Sequence, residues 1–197
     1  LDLGCGGGRH YFCEYGKVIG IDPVLPLLQM AAKIYDEVYQ TSGFKLQFAD
    51  ESFDYVVSSD VLGHISFENK DLLFAEIHRV LKKGGRTVHC SEADADNVWF
   101  RFAHKYPELF AIHFVDKPGH ISLELPTKIR ARFLKHGFKE ITFRRLNSTV
   151  QETASITGGK ILGTIAVSSK TLLNGALVRI AIQASTVARI VATIDEP

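Results

Sequence analysis

The sequence predicts an α/β fold: a doubly wound sheet, mostly parallel, with an antiparallel last strand. Two observations carry this. In the first half, short apolar runs bounded by glycine or aspartate alternate with helical patterns, as strand–helix–strand crossovers do. After Gly137 the alternation stops. Two apolar runs, Ile141 to Arg144 and Ile161 to Val167, are separated by a polar, glycine-containing connection that suits an antiparallel pair.

The elements follow in order. Leu1 to Leu3 reads as the end of a strand, and Arg9 to Tyr15 as a short helix. Val18 to Ile21 is a second strand closed by Asp22. Pro23 sits where a helix would start, and Leu25, Leu28, Ala31, Ala32 and Tyr35 then recur at helical spacing. Glu37 to Gln40 and Tyr55 to Ser58 are the third and fourth strands. Leu72, Leu73, Ala75, Ile77, Val80 and Leu81 form a helical stripe closed by Lys82-Lys83-Gly84-Gly85, cations and then glycine. Thr87 to Cys90 is the fifth strand, and Thr127 to Lys135 is a further helix. Leu173, Leu177, Ile180, Ala181, Ala184, Val187, Ala188 and Val191 recur at 3- and 4-residue steps, which favours an amphipathic helix in the last stretch. The expected organisation is one domain over 1–170, interrupted by an insert at 93–126, and an apolar C-terminal extension at 171–197 that packs on the domain or joins two copies in a homodimer.

Composition limits the partners. The chain has 197 residues, 46% hydrophobic and 23% charged, with a formal net charge of +1. That is enough apolar material for a single core, and the near-neutral balance gives no electrostatic footprint for nucleic acid, so a small-molecule partner is expected. Three cysteines, Cys5, Cys13 and Cys90, fit neither a disulfide framework nor a zinc motif, so a reducing, cytoplasmic location is expected. Arg179 and Arg189 interrupt the longest apolar run, so no membrane span is expected. Leu1 already reads as strand, which suggests a trimmed chain.

The strongest local signal is Leu1-Asp2-Leu3-Gly4-Cys5-Gly6-Gly7-Gly8. Glycines between a strand and a helix let the backbone turn sharply and let a ligand approach where a Cβ would collide. Amides near a helix start favour negative charge on that ligand. The nicotinamide fingerprint fits poorly, because its third glycine would fall at Arg9. Asp22, ending the second strand, suits hydrogen bonds from both hydroxyls of a ribose, or a helix cap before Pro23.

Asp2 to Gly8 resembles the first motif of class I S-adenosylmethionine (SAM)-dependent methyltransferases. Val18 to Pro23 resembles the second, Leu46 to Ile65 the run around the fourth strand, Glu76 to Gly85 the next helix and turn, and His136-Gly137-Phe138 the turn before the sixth strand. The likeness is co-linear over about residues 1–170 and is greatest to the small-molecule branch that includes ubiquinone and menaquinone methyltransferases. It implies a Rossmann-like sheet of seven strands, with SAM, and its product S-adenosylhomocysteine, across the carboxyl ends of the first, second and fourth. Asp2 would meet the ammonium group of the cofactor through water. Gly4, Cys5, Gly6 and Gly8 would cradle its methionine part. Asp22 would hold the ribose, Pro23 and Val24 would lie beside the adenine, and Ser59, Asp60 and Val61 would line the pocket. The family often places an acidic residue and then alanine near the adenine amino group, where this chain has Ser42 and Gly43. Members usually carry helices before the first strand that cover the cofactor.

Methyl transfer is an in-line displacement, so the enzyme mainly aligns the reactants and excludes water. Base candidates are His64 after the fourth strand and Glu92 or Asp94 after the fifth. Within the insert, Phe102, Tyr106 and Phe110 share one helical face unless Pro107 splits it. With Trp99, Phe100 and Phe114 they suggest a lid over a small-molecule methyl acceptor. His104 and His113 form no ligand motif, so no metal is expected. Two other functions compete: a catalytically silent SAM-binding scaffold, and a nicotinamide oxidoreductase, which Arg9 disfavours.

Overall fold

Short β-branched and apolar runs build the left half of the sheet. β1 is Asp2–Leu3, β2 is Ile19–Ile21 and β3 is Glu37–Tyr39. β1 pairs in parallel with β2, placing Asp2 opposite Gly20 and Leu3 opposite Ile21. Alternation along these strands separates two faces. Leu3 and Ile21 point into the main core with Val56, Leu73, Phe74 and Ile77. Asp2 and Gly20 point the other way, toward Tyr35. There α1, Leu25–Ala31, packs Leu28 and Ala31 against Cys5, Val18 and Tyr35. Helices thus cover both faces, which is the doubly wound arrangement.

The computed structural model describes residues 1–94, 101, 104–111, 116, 119–146 and 186–193. β4 is Phe53–Ser59, α2 is Phe67–Val80 and β5 is Leu81–Ala93. The short helix α3 is Pro107–Phe110, α4 is Pro126–Lys135, β6 is Lys139–Leu146 and β7 is Thr186–Thr193. 3-10 turns fill His10–Tyr15 and Leu62–His64. The seven strands lie in the order β3-β2-β1-β4-β5-β7-β6. The first five run parallel, and β7 runs antiparallel to both β5 and β6.

Several sequence expectations shift. α2 buries Lys70, Leu73, Phe74, Ile77 and Val80, so the stripe is rotated and Leu72 stands 53% exposed. The helix ends at Val80 because Leu81 is already extended. Lys82 to Gly85 therefore form the irregular start of β5 rather than a separate turn, with a register shift against β4. Pro26, not Pro23, occupies the first turn of α1. The helical reading of Val187, Ala188 and Val191 is corrected, since all three lie in β7. Thr186, Val187, Ile190, Val191 and Thr193 are β-branched and favour an extended chain. The antiparallel partner of β6 is thus Thr186–Thr193; the run expected at Ile161 to Val167 lies outside the described residues.

One polar stitch crosses the core between β4 and β5. His89 is fully buried against Phe74 and Phe133. Thr87 Oγ1 donates to the Val56 carbonyl at 2.9 Å, so it accepts from His89 Nε2 at 2.7 Å. His89 Nδ1 then accepts from Ser58 Oγ at 2.7 Å. Both ring nitrogens are satisfied in the neutral form, and burial pushes the imidazole down to about 3.

Candidate cofactor and acceptor site

The Gly-rich loop turns from β1 toward α1 through left-handed glycines. Gly4, Gly6 and Gly8 have φ of +61°, +53° and +82°, a region that costs other residues strain. Their surroundings differ. A Cβ on Gly4 would lie 2.5 Å from Val61 Cγ2, and one on Gly8 would lie 3.1 Å from Ala31 Cα. A Cβ on Gly6 would meet nothing within 4 Å, so Gly6 faces open space. Gly4 therefore lets the loop after β4 close onto the loop after β1, while Gly6 leaves room for a ligand.

Asp22 ties the two halves of this cradle together. Its Oδ2 accepts from the Gly6 amide at 2.9 Å and its Oδ1 from the Val24 amide at 2.8 Å. Each oxygen keeps a further lone pair. The bond to Val24 is the local turn expected of an aspartate before a helix; the bond to Gly6 spans 16 residues and brings Asp22 to the loop. Asp2 lies beneath the loop, fully buried, with Oδ2 accepting from Tyr35 Oη at 2.7 Å. Tyr35 Oη in turn accepts from the Arg9 amide at 2.8 Å. Among the described residues Asp2 Oδ1 has no hydrogen-bond partner. Desolvation raises the Asp2 carboxyl above the usual range, opposed by the Tyr35 bond.

On the other side of the cradle, Asp60 follows β4 with φ +60° and its amide donates to the Cys90 carbonyl at 2.7 Å. Its Oδ1 lies 3.2 Å from His120 Nε2 and its Oδ2 lies 3.7 Å from His64 Nε2. His64 Nδ1 lies 3.0 Å from the Gly119 carbonyl. His120 is 2% exposed. A strap over residues 119–125 carries it: the Ile121 and Ser122 amides both donate to the Gly63 carbonyl, at 2.9 and 3.2 Å. Ser122 Oγ also donates to the Ile65 carbonyl. Buried Lys70 donates to the Ser122 carbonyl at 2.5 Å and to Glu124 Oε2 at 3.0 Å, and Arg132 closes on Glu124 at 2.9 Å.

Residues 1–89 match the methyltransferase domain family. An uncharacterized methyltransferase of Geobacillus is 31% identical over 160 residues, covering 76% of this chain and 73% of that protein. The chain belongs to the methyltransferases. Phosphoethanolamine N-methyltransferase 2 of Caenorhabditis elegans is 36% identical over 99 residues, 45% of this chain and 22% of that one. Among solved structures, Haemonchus contortus phosphoethanolamine N-methyltransferase 2, in complex with phosphomonomethylethanolamine and S-adenosylhomocysteine, superposes with a TM-score of 0.71 at 21% identity. It spans all of this chain, which is 48% of the length of that one. Some other matches carry tRNA methyltransferase names.

The cofactor of this methyltransferase is SAM, and the residues present fit it. The open space before Gly6 and the unmatched oxygen of Asp2 suit a methionine moiety that carries a carboxylate and an ammonium. Other expected residues are refined. The Cys5 side chain is buried in the α1 cluster and its thiol is pushed up to about 12 by desolvation, while its amide donates to the Ile21 carbonyl at 2.9 Å and its carbonyl accepts from the Gly8 amide at 3.0 Å, so Cys5 shapes the loop from within. Ser42 is exposed, whereas Gly43 is buried against Leu73 and Ile21. Pro23 is exposed and its carbonyl accepts from Gln40 Nε2 at 3.0 Å. Val61 packs over Gly4, and Ser59 ends β4 half-buried.

Of the base candidates, His64 joins the Asp60 cluster, and Asp94 accepts instead from His104 at 3.1 Å. Glu92 lies on β5 opposite Val187; its side chain is outside the described residues. So are Trp99, Phe100, Phe102, His113 and Phe114 of the expected lid. Pro107 starts α3, with Tyr106 as its cap, and Phe110 stacks on His104 at 4.0 Å. Sequence reasoning missed His120 and Lys70. No spacing rule links His120 to residues 56 and 60 positions earlier. Lys70 did carry a signal: a lysine three and four residues before buried Leu73 and Phe74.

Proposed function

We propose that this chain transfers the methyl group of SAM to a small-molecule acceptor. Asp2 meets the cofactor's ammonium group through water, and the loop Gly4-Cys5-Gly6-Gly7-Gly8 cradles its methionine part. Asp22 takes the ribose hydroxyls, and Pro23 with Val24 flanks the adenine, whose amino edge faces Ser42 and Gly43. Ser59, Asp60 and Val61 wall the pocket toward the acceptor. The observation that carries this reading is Asp22: one carboxylate at the end of β2 anchors both the Gly-rich loop and the start of α1, and each oxygen keeps a further lone pair.

The acceptor's lone pair attacks the methyl carbon, the carbon–sulfur bond breaks, and sulfur leaves as a neutral thioether. Little covalent work falls on the protein beyond alignment and exclusion of water. The acceptor's proton leaves on the side of Asp60, His64 and His120. The net charge of +1 and the relatives named for phosphoethanolamine support a small acceptor over nucleic acid. The test is incubation with methyl-labelled SAM and a panel of small amines, hydroxyl compounds and phosphoethanolamine, beside unmodified tRNA. Label in a small product is expected. Label only in RNA overturns the acceptor class, and cofactor binding without turnover on any substrate favours the silent scaffold.

A further inference from the structure

Three donor side chains meet at the carboxyl end of β4, although His120 arrives from a distant strap. We propose that Asp60, His64 and His120 bind a divalent transition-metal ion of the zinc or iron(II) type.

The donor spacing fits. Metal bonds of about 2.0–2.2 Å to nitrogen and carboxylate oxygen in a tetrahedral centre place neighbouring donors roughly 3.3–3.5 Å apart. Here Asp60 Oδ1 lies 3.2 Å from His120 Nε2 and Asp60 Oδ2 lies 3.7 Å from His64 Nε2, and one donor atom from each residue falls within 4.8 Å of the other two, a spacing that a bound ion would draw in. The orientation of His64 fits too. A carbonyl only accepts, so the 3.0 Å contact with Gly119 puts the proton on Nδ1 and turns the Nε2 lone pair toward Asp60 Oδ2. That is the outer hydrogen bond metal-bound imidazoles make. A lone pair facing a carboxylate needs positive charge between them. A single divalent ion satisfies all three donors.

The cluster is also held in place by features that cost stability elsewhere. Asp60 sits in the left-handed region. Gly63 is needed for His120 to enter, since a Cβ there would lie 2.7 Å from the imidazole Cδ2. Lys70 is buried to hold the strap. Two imidazoles and one carboxylate favour zinc, iron(II), cobalt or nickel over magnesium or calcium, which prefer oxygen. Three protein ligands leave coordination positions for an acceptor heteroatom, whose proton then passes to water more readily. That role rests on the proposed methyl transfer; binding of the ion does not.

The test is titration of the chelator-treated chain with cobalt(II), read by visible absorption, and with zinc by calorimetry, without cofactor. One ion per chain is expected, with visible bands of low-symmetry cobalt. Asp60→Asn and His64→Ala, both at exposed positions, each weaken binding at least tenfold, and His104→Ala leaves it unchanged. Circular dichroism and thermal melting report that each variant is folded, and S-adenosylhomocysteine binding to the unsubstituted chain tests the cofactor reading separately. Absence of stoichiometric binding overturns the proposal, as does binding that neither Asp60→Asn nor His64→Ala weakens.

Discussion

Single residues in this chain divide between those that shape the Gly-rich loop and those that hold the core beneath it. Asp22 and Asp2 were legible as polar groups beside the Gly-rich loop because each stands at a strand end next to the glycines, where the structure joins Asp22 to Gly6 and buries Asp2 under the loop. His89 was not, because nothing in Thr87-Val88-His89-Cys90 says that the imidazole faces Phe74 and Phe133 rather than solvent. Its burial has a pH consequence. Folded His89 titrates near about 3, against an ordinary value of 6.5. Between those values the unfolded chain binds a proton that the folded chain refuses, so this contribution is complete above 6.5 and falls as pH drops toward 3. The predicted loss approaches about 1.4 kcal/mol per pH unit within that window. Urea unfolding at pH 7 and pH 5 checks it. His89→Gln should lower stability at pH 7 and flatten the slope between the two; an unchanged slope would contradict the assignment.

At the scale of elements, the strap over residues 119–125 decides what the end of β4 can do. The sequence suggested a lid in this insert and saw its aromatic residues. The described part of it, the strap, is fastened by a polar clasp, which hydrophobic periodicity cannot reveal. Lys70 on α2 holds the Ser122 carbonyl and Glu124, and Arg132 on α4 holds Glu124 from the other side. Lys70→Ala should cost about 1–3 kcal/mol, the penalty of leaving buried acceptors short of a donor, with Arg132 limiting the loss. The Ile121 and Ser122 amides, which donate to Gly63, should then exchange with solvent faster than the amides of β1 and β2. Unchanged exchange at these two positions would mean that the clasp does not fasten the strap.

At the scale of the whole molecule, the parallel half of the sheet was legible from alternation and glycine placement, and so was β6, whereas β7 was read as helix. Val187, Ala188 and Val191 fit a helical period as well as a strand, and only pairing with β5 and β6 decides between them. β7 fills the gap between those two strands, so the end of the chain is part of the sheet. A chain ending at residue 170 should therefore expose the edges of β5 and β6 and aggregate or unfold. A stable, monomeric, folded product would show instead that residues 171–197 serve only to join two copies. Among the described residues no helix is long and apolar enough to cross a membrane. The central claim is that the carboxyl ends of β1, β2 and β4 form a SAM cradle organised by Asp22. Calorimetric titration with S-adenosylhomocysteine, on the chain and on Asp22→Ala, tests it most directly. Micromolar binding, weakened by the substitution by about 1–3 kcal/mol, is the predicted result, and binding of equal strength in both chains would contradict it.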